Sequence, residues 1–272
     1  MGMHVNAFDR FHAGSSLVHH LDPRVKVIVT VLFIVSNSLL PDGAWLAFAA
    51  SLLLVLFASS LSGLGTSFTL RRSFIALPFA LAALTTLFAT PGNPIFYLTA
   101  GPLDITVTGP GLVRFTSILV RTWLSVQMAI LLVAATSFPD LLHALRHLRV
   151  PGVLVAIISF MYRYLFVLTD EVLRLRRARE ARSAKLKGKK SGGTITWRAK
   201  TAGSMAGQLF LRSLERSDRI YNAMLARGYT GQLLTLNAHL MECKDWITGA
   251  AALGILLFIQ LVGRLPFLSV LL

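Results

Sequence analysis

VLVAIISFMYRYLFVL (Val153–Leu168) runs without interruption into TDEVLRLRRAREARSA (Thr169–Ala184), and the reading of that junction decides the fold. A helix crossing a hydrocarbon core of about 30 Å needs about 17 to 25 apolar residues, because each advances the chain by only about 1.5 Å. Val153–Leu168 is short for this, carries Arg163 near its middle, and is followed by Arg174, Arg176, Arg177, Arg179 and Arg182 on the continuing helix. It is either a crossing or an apolar helix packed beneath the membrane, and the rest of the chain must arbitrate.

Of the 272 residues 54% are hydrophobic and only 14% charged, too few charges for a soluble domain of this size. Apolar runs occur at residues 25–40, 44–61, 73–90, 112–138 and 246–263; the first is slightly short for a span and is read as beginning near Pro23, and the others are of spanning length. The first stops at the turn signal Pro41-Asp42-Gly43. The second and third flank a loop with Arg71 and Arg72, and read as a helical hairpin. Residues 91–111 are rich in Pro and Gly and read as a loop. Trp246 suits an interfacial anchor for the last run. Residues 1–24 lack the short apolar core of a cleavable signal, so the first span itself directs insertion.

Basic residues settle the topology. With the N-terminus cytoplasmic, Arg10, Arg24, Lys26, Arg71 and Arg72 fall inside, and the Lys/Arg-free loop 91–111 falls outside, as the positive-inside rule asks. The stretch from Arg163 to Lys244 holds 17 of the 27 basic residues and six of the 12 acids, so most of the net charge of +15 is concentrated there. A crossing at Val153–Leu168 would place that charge outside. The expectation is therefore an all-α integral membrane protein with five transmembrane helices, six being the alternative. Residues 1–24 form a cytoplasmic segment, 25–138 a four-helix transmembrane region, 139–245 a cytoplasmic helical domain, 246–263 the final span and 264–272 a tail.

Within the cytoplasmic domain helices are expected over residues 140–148, 152–184 and 198–227. In the third, Phe210, Leu214, Tyr221 and Leu225 share one face, and Arg212, Arg216 and Arg219 another. Glu215 precedes Arg219 by four residues, a favourable intrahelical pair. Gly228 suits the left-handed residue that closes a helix, leaving Arg227 at its tip. The Lys- and Gly-rich stretch 185–193 between the two basic helices reads as a mobile linker.

Three short motifs resemble one family. Leu21-Asp22-Pro23-Arg24 before the first span, with Ala181-Arg182-Ser183 and Ala226-Arg227-Gly228 closing the two basic helices, is similar to the T component of energy-coupling factor (ECF) transporters across nearly the whole chain. The first triplet departs from the usual Ala-Arg-Gly by Ser183. The opening Phe8-Asp9-Arg10 and the lack of a longer N-terminal domain look like the CbiQ-type members serving cobalt uptake. The resemblance implies a coupling subunit in the bacterial inner membrane that joins a membrane substrate-binding subunit (S component), with a small accessory membrane subunit, to two ABC ATPases. Arg182 and Arg227 would dock into the ATPases, ATP and Mg would be bound by those partners rather than by this chain, and nickel or a vitamin could replace cobalt as cargo. Asp22 and Arg24 read as shaping the entry of the first helix.

Other functions are excluded on chemistry. No phosphate-binding Gly-rich loop, nucleophile elbow or paired-His zinc helix is present, so an enzyme is not expected. Cys243 is the sole cysteine, which removes disulfides and cysteine-based metal sites. His19-His20 and the pair His143 and His147 lack a completing carboxylate or cysteine, and no metal site is expected. All 12 acids fall outside the five spans, which disfavours an ion-coupled carrier or channel working alone. Arg114 and Arg121 read as snorkelling cations near the start of a span. The basic faces lack the interleaved exposed aromatics of a nucleic-acid surface.

Overall fold

The computed structural model describes residues 11, 12, 14, 16–91, 94–100, 103–182, 194–231 and 241–265. They fall into two compact units, one between Asp9 and Ala144 and between Asn237 and Leu272, the other between Leu145 and Leu236.

In the first unit Pro23 opens α1 (Pro23–Ser38), where its missing N–H costs nothing, and the Asp22 carboxylate caps the helix by accepting from the Arg24 N–H at 2.8 Å. There follow α2 (Trp45–Leu61), α3 (Thr66–Arg72), a 3-10 turn at Ser73–Ala76 and α4 (Leu77–Ala89). The antiparallel strands β1 (Pro94–Ala100) and β2 (Leu103–Thr108) lead into α5 (Gly109–Ala135). Then come α6 (Phe138–His147), within which the unit boundary falls, and, after the second unit, α9 (Cys243–Arg264).

Two details correct the sequence reading. Residues 73–90 do not form one straight helix: the helical stretch starts at Thr66 and bends by 61° between 67–76 and 81–89, with Pro78 unable to donate across the break. The loop 91–111 is not irregular throughout, since Phe96–Ala100 pairs with Leu103–Val107 as a hairpin whose β-branched Ile105 and Val107 suit extended backbone.

α5 is the centre of the bundle and packs against α1, α2, α3 and α4, while α9 packs on α1 and α2. Phe33, Val55, Leu124, Met128, Leu131 and Leu256 form the main core, and Leu40, Ala47, Phe48 and Ile259 a second one at the other end. Outward-facing Leu53, Phe57, Phe79, Leu257 and Phe258 are more than half exposed, as lipid contact requires. Between apolar helices in lipid, association rests on close packing, and Gly263 provides it: a Cβ there would lie 2.5 Å from Leu40 Cδ2 and 3.2 Å from the Ala47 methyl.

The second unit is a pair of long helices, α7 (Gly152–Arg182) and α8 (Ile195–Ala226). By length and composition α5, α7 and α9 are each apolar enough to cross a membrane, and the bent 67–89 stretch makes a fourth candidate. α1 and α2, at 16 and 17 residues, are shorter. The chain is an all-α integral membrane protein whose one sheet is this two-stranded hairpin among the described residues.

Candidate functional site

α8 ends as a left-handed closing residue dictates. Gly228 has φ +78°, the Gly228 N–H donates to the Leu225 carbonyl at 3.0 Å, and the Tyr229 N–H reaches back to the Met224 carbonyl at 3.0 Å. This double closure satisfies the last carbonyls and stops the helix at Ala226, presenting Arg227 exposed at the tip. α7 carries Ala181 and Arg182, both exposed, as its last two residues; Ser183 lies outside the described residues.

The two helices are pinned together midway. Glu171 on α7 accepts from Arg212 Nη1 on α8 at 2.6 Å and is also paired with Arg174 one turn further along its own helix. Beyond this point the Arg179 guanidinium lies over the Trp197 ring, 5.7 Å from its centroid. Phe160 and Tyr164 on the other side share a cleft with Ile220 and Met224. These pairings fix an antiparallel arrangement, so the two arginine tips lie at opposite ends. Arg182 is 11 residues past Glu171 and Arg227 15 past Arg212, which places them at most about 40 Å apart.

The structure revises one expectation for α8. Arg219 does not reach the Glu215 carboxylate; its Nε donates to the Glu215 carbonyl at 3.3 Å. Arg212, Arg216 and Arg219 line the cleft against α7. Phe210, Leu214, Tyr221 and Leu225 do form an apolar stripe, and all four are about half exposed or more.

The Leu21-Asp22-Pro23-Arg24 motif sits in a buried polar node of the first unit. Asp22 is 3% exposed and Asp245, at the start of α9, 7%. The Asp22 N–H donates to Asp245 Oδ1 at 3.0 Å, and Asp245 Oδ2 accepts from the Glu242 N–H at 3.0 Å in a reciprocal capping box. Arg24 Nη2 donates to His143 Nε2 on α6 at 3.2 Å, so that nitrogen is the acceptor. Lys26 is also buried; its ammonium donates to the carbonyls of His19 at 3.0 Å and Ala135 at 3.3 Å, and the charges of Asp140, Asp22 and Asp245 act on it. One node thus joins the starts of α1 and α9 to the end of α5 and to α6.

At the opposite end of the bundle Arg121 does more than snorkel. Its Nη2 donates to Asp42 Oδ1 at 2.7 Å and to the Leu40 carbonyl at 2.6 Å, tying α5 to the turn between α1 and α2. Arg114 approaches the same carboxylate at 3.9 Å.

The profile of the cobalt transport protein family, CbiQ, matches residues 14–236, which takes in the buried node's α1 half and both arginine-tipped helices. The chain belongs to the CbiQ family. It is 30% identical to the energy-coupling factor transporter transmembrane protein EcfT of Leuconostoc gelidum subsp. gasicomitatum, over 90% of this chain and 92% of that one. An uncharacterized protein of Methanocaldococcus jannaschii is 28% identical over 88% of this chain and 80% of its own. The cobalt transport protein CbiQ of Rhodobacter capsulatus is 28% identical over 63% and 68% respectively. The Leuconostoc relative is by name a transporter transmembrane protein and the Rhodobacter relative a transport protein.

In this CbiQ-family protein, motif reading singled out Asp22 and Arg24 but missed Lys26, His143 and Asp245, which complete the node. The signal for Asp245 was local: Glu242 three residues earlier makes a capping box. Lys26 and His143 gave none: the Ala135 carbonyl lies 109 residues from Lys26, and Arg24 lies 119 residues from His143. His19, one of the tempting histidines, is occupied by the Ser16 hydroxyl at 2.6 Å and the His12 carbonyl at 2.9 Å. Among the described residues no three of His, Cys, Asp and Glu gather to hold a metal.

Proposed function

We propose that this chain is the coupling subunit of an energy-coupling factor importer, joining a pair of ABC ATPases in the cytoplasm to a membrane subunit that binds the substrate. The reading rests above all on two exposed arginines at opposite ends of one pinned helix pair. A guanidinium at a helix tip presents a planar fork of donors that binds carboxylate bidentately, where a lysine would offer a point charge. Two such tips, at most about 40 Å apart on one pinned pair, suit two copies of a similar partner. Closure of the partners would then move both ends of the pair together, a rigid-body switch that needs no chemistry in this chain.

Membrane topology follows the charge bias. With the basic helices inside, α7 packs its apolar half under the bilayer, the N-terminus is cytoplasmic and the membrane is the bacterial cell membrane. ATP and Mg belong to the partner ATPases. The stripe Phe210, Leu214, Tyr221 and Leu225, with Gly203 and Gly207 bare on the same face, suits an apolar helix of the substrate-binding subunit. Cobalt is the cargo favoured by the family description and by the name of the Rhodobacter relative.

The test is to change Arg182→Ala and Arg227→Ala, singly and together, and to follow copurification of the ATPases and ATP-dependent cobalt uptake. The double variant is expected to lose both. Full assembly and uptake in the double variant would sink the reading, and uptake of another ion or a vitamin in place of cobalt would correct the cargo alone.

A further inference from the structure

The cleft between α7 and α8 encloses about 840 Å³, within the range of small-ligand sites. Its lining is of two kinds. Ile157, Phe160, Tyr164 and Leu168 of α7 and Ile220 and Met224 of α8 give apolar and aromatic walls. Arg174, Arg212, Arg216 and Arg219 line it as well, with the carboxylates of Glu171 and Glu215, and because Arg219 and Ile220 are consecutive on α8 the basic and apolar walls lie side by side on neighbouring faces of the helix.

Glu171 is consumed by Arg174 and Arg212. Arg216 and Arg219 are exposed and have no carboxylate partner among the described residues. Two uncompensated guanidiniums beside an apolar trough ask for a ligand with an anionic head and an apolar tail. α7 itself changes from apolar to basic at Thr169, the same change of polarity as at the boundary between hydrocarbon and headgroups, so such a ligand can enter from the bilayer.

We propose that this cleft holds one anionic phospholipid, an acyl chain lying between Ile157, Phe160, Ile220 and Met224 and the phosphate seated on Arg216 and Arg219. The source is the membrane, not the cytosol, because the apolar walls would stay wet around a free anion. The lipid fills the open side of the helix pair beyond the Glu171–Arg212 pin and stiffens that half of it. The proposal stands independently of which ATPase or substrate subunit the chain serves.

The experiment uses the full chain in nanodiscs containing phosphatidylglycerol that carries a photoreactive diazirine on one acyl chain, followed by peptide mapping. Labelling is expected on 153–168 and 209–224 in addition to the lipid-facing surface of α9. The double variant Arg216→Gln/Arg219→Gln should lower cleft labelling about thirtyfold, taking about 1 kcal/mol for each basic residue, while α9 labelling stays unchanged. A phosphatidylcholine probe with the same chain should label α9 but not the cleft. Equal cleft labelling of variant and parent, or by the two probes, would overturn the proposal. Loss of cleft labelling on adding inorganic phosphate would assign the arginines to a free anion and overturn it as well. A variant Ile220→Trp, which occupies the trough while leaving the arginines in place, should also abolish labelling; unchanged labelling there would put the lipid elsewhere.

Discussion

Asp245→Ala removes the acceptor at the centre of the buried node. Its carboxylate serves two backbone donors, the Asp22 N–H and the Glu242 N–H, each at 3.0 Å, in a site where Asp245 is only 7% exposed. A hydrogen bond to a charged group contributes about 1.5 to 3 kcal/mol, and loss of a helix cap costs about 1 kcal/mol. Part of the Glu242 N–H can be rehydrated at the helix end, so the expected cost is about 3 kcal/mol rather than the sum. For a chain of this size that corresponds to a fall in Tm of about 6 to 9 °C. Asp245→Asn keeps one acceptor oxygen and turns an NH2 group toward the second donor, so it should lose about as much or slightly less. The assay is thermal unfolding of the purified full chain in detergent, following the tryptophan emission. An alanine variant that melts within about 1 °C of the parent would refute the claim that this contact fastens α9 to α1.

Gly263→Val should cost about 1 to 3 kcal/mol by driving a side chain into Leu40 and Ala47, seen as a lower Tm, whereas Gly254→Ala, with open space at its Cβ, should not lower the Tm. Arg121→Ala should cost about 1 to 2 kcal/mol, since it frees the Leu40 carbonyl and the half-exposed Asp42, and the loss should shrink when Asp42→Asn is already present. Glu171→Ala removes a carboxylate that pins α8 to α7, and should broaden the distance distribution between spin labels placed at 165 and 222; an unchanged distribution would show that the pin is dispensable.

The apolar helices were legible because a lipid-facing helix has to be apolar on most of its surface, which composition alone reports. Gly228 was legible for a local reason too: only a residue tolerant of positive φ closes a helix in that way. What escaped was non-local. Lys26 reads as a cation at the edge of a span, yet its ammonium is held by a carbonyl at the end of α5. Arg216 and Arg219 read only as sharing a face with Arg212, since a helical wheel does not report that a second helix runs antiparallel beside it. The bend at Pro78 was visible as a residue but not as an angle, because a proline in the first turn of a helix is equally compatible with a fresh start. The hairpin had its signal in Ile105, Thr106 and Val107, masked by the Pro and Gly around it.

Gly203 and Gly207 on α8 offer a way to separate a partner contact from a folding effect. A Cβ added at either meets nothing within 4 Å, and both lie in exposed helix interior, so alanine there should stabilise the chain itself by about 1 kcal/mol per site through helix propensity. They share a face with Phe210, Leu214 and Tyr221, whose side chains are about half exposed or more among the described residues. If that face receives a partner's helix at close range, Gly203→Leu/Gly207→Leu should prevent association with the substrate-binding subunit while the isolated chain melts no lower than the parent. The ATPases, which the reading places at Arg182 and Arg227, should still copurify. An intact association with the substrate-binding subunit would show that the bare glycines are not a docking surface, and loss of the ATPases instead would show that the tips and the stripe serve the same partner.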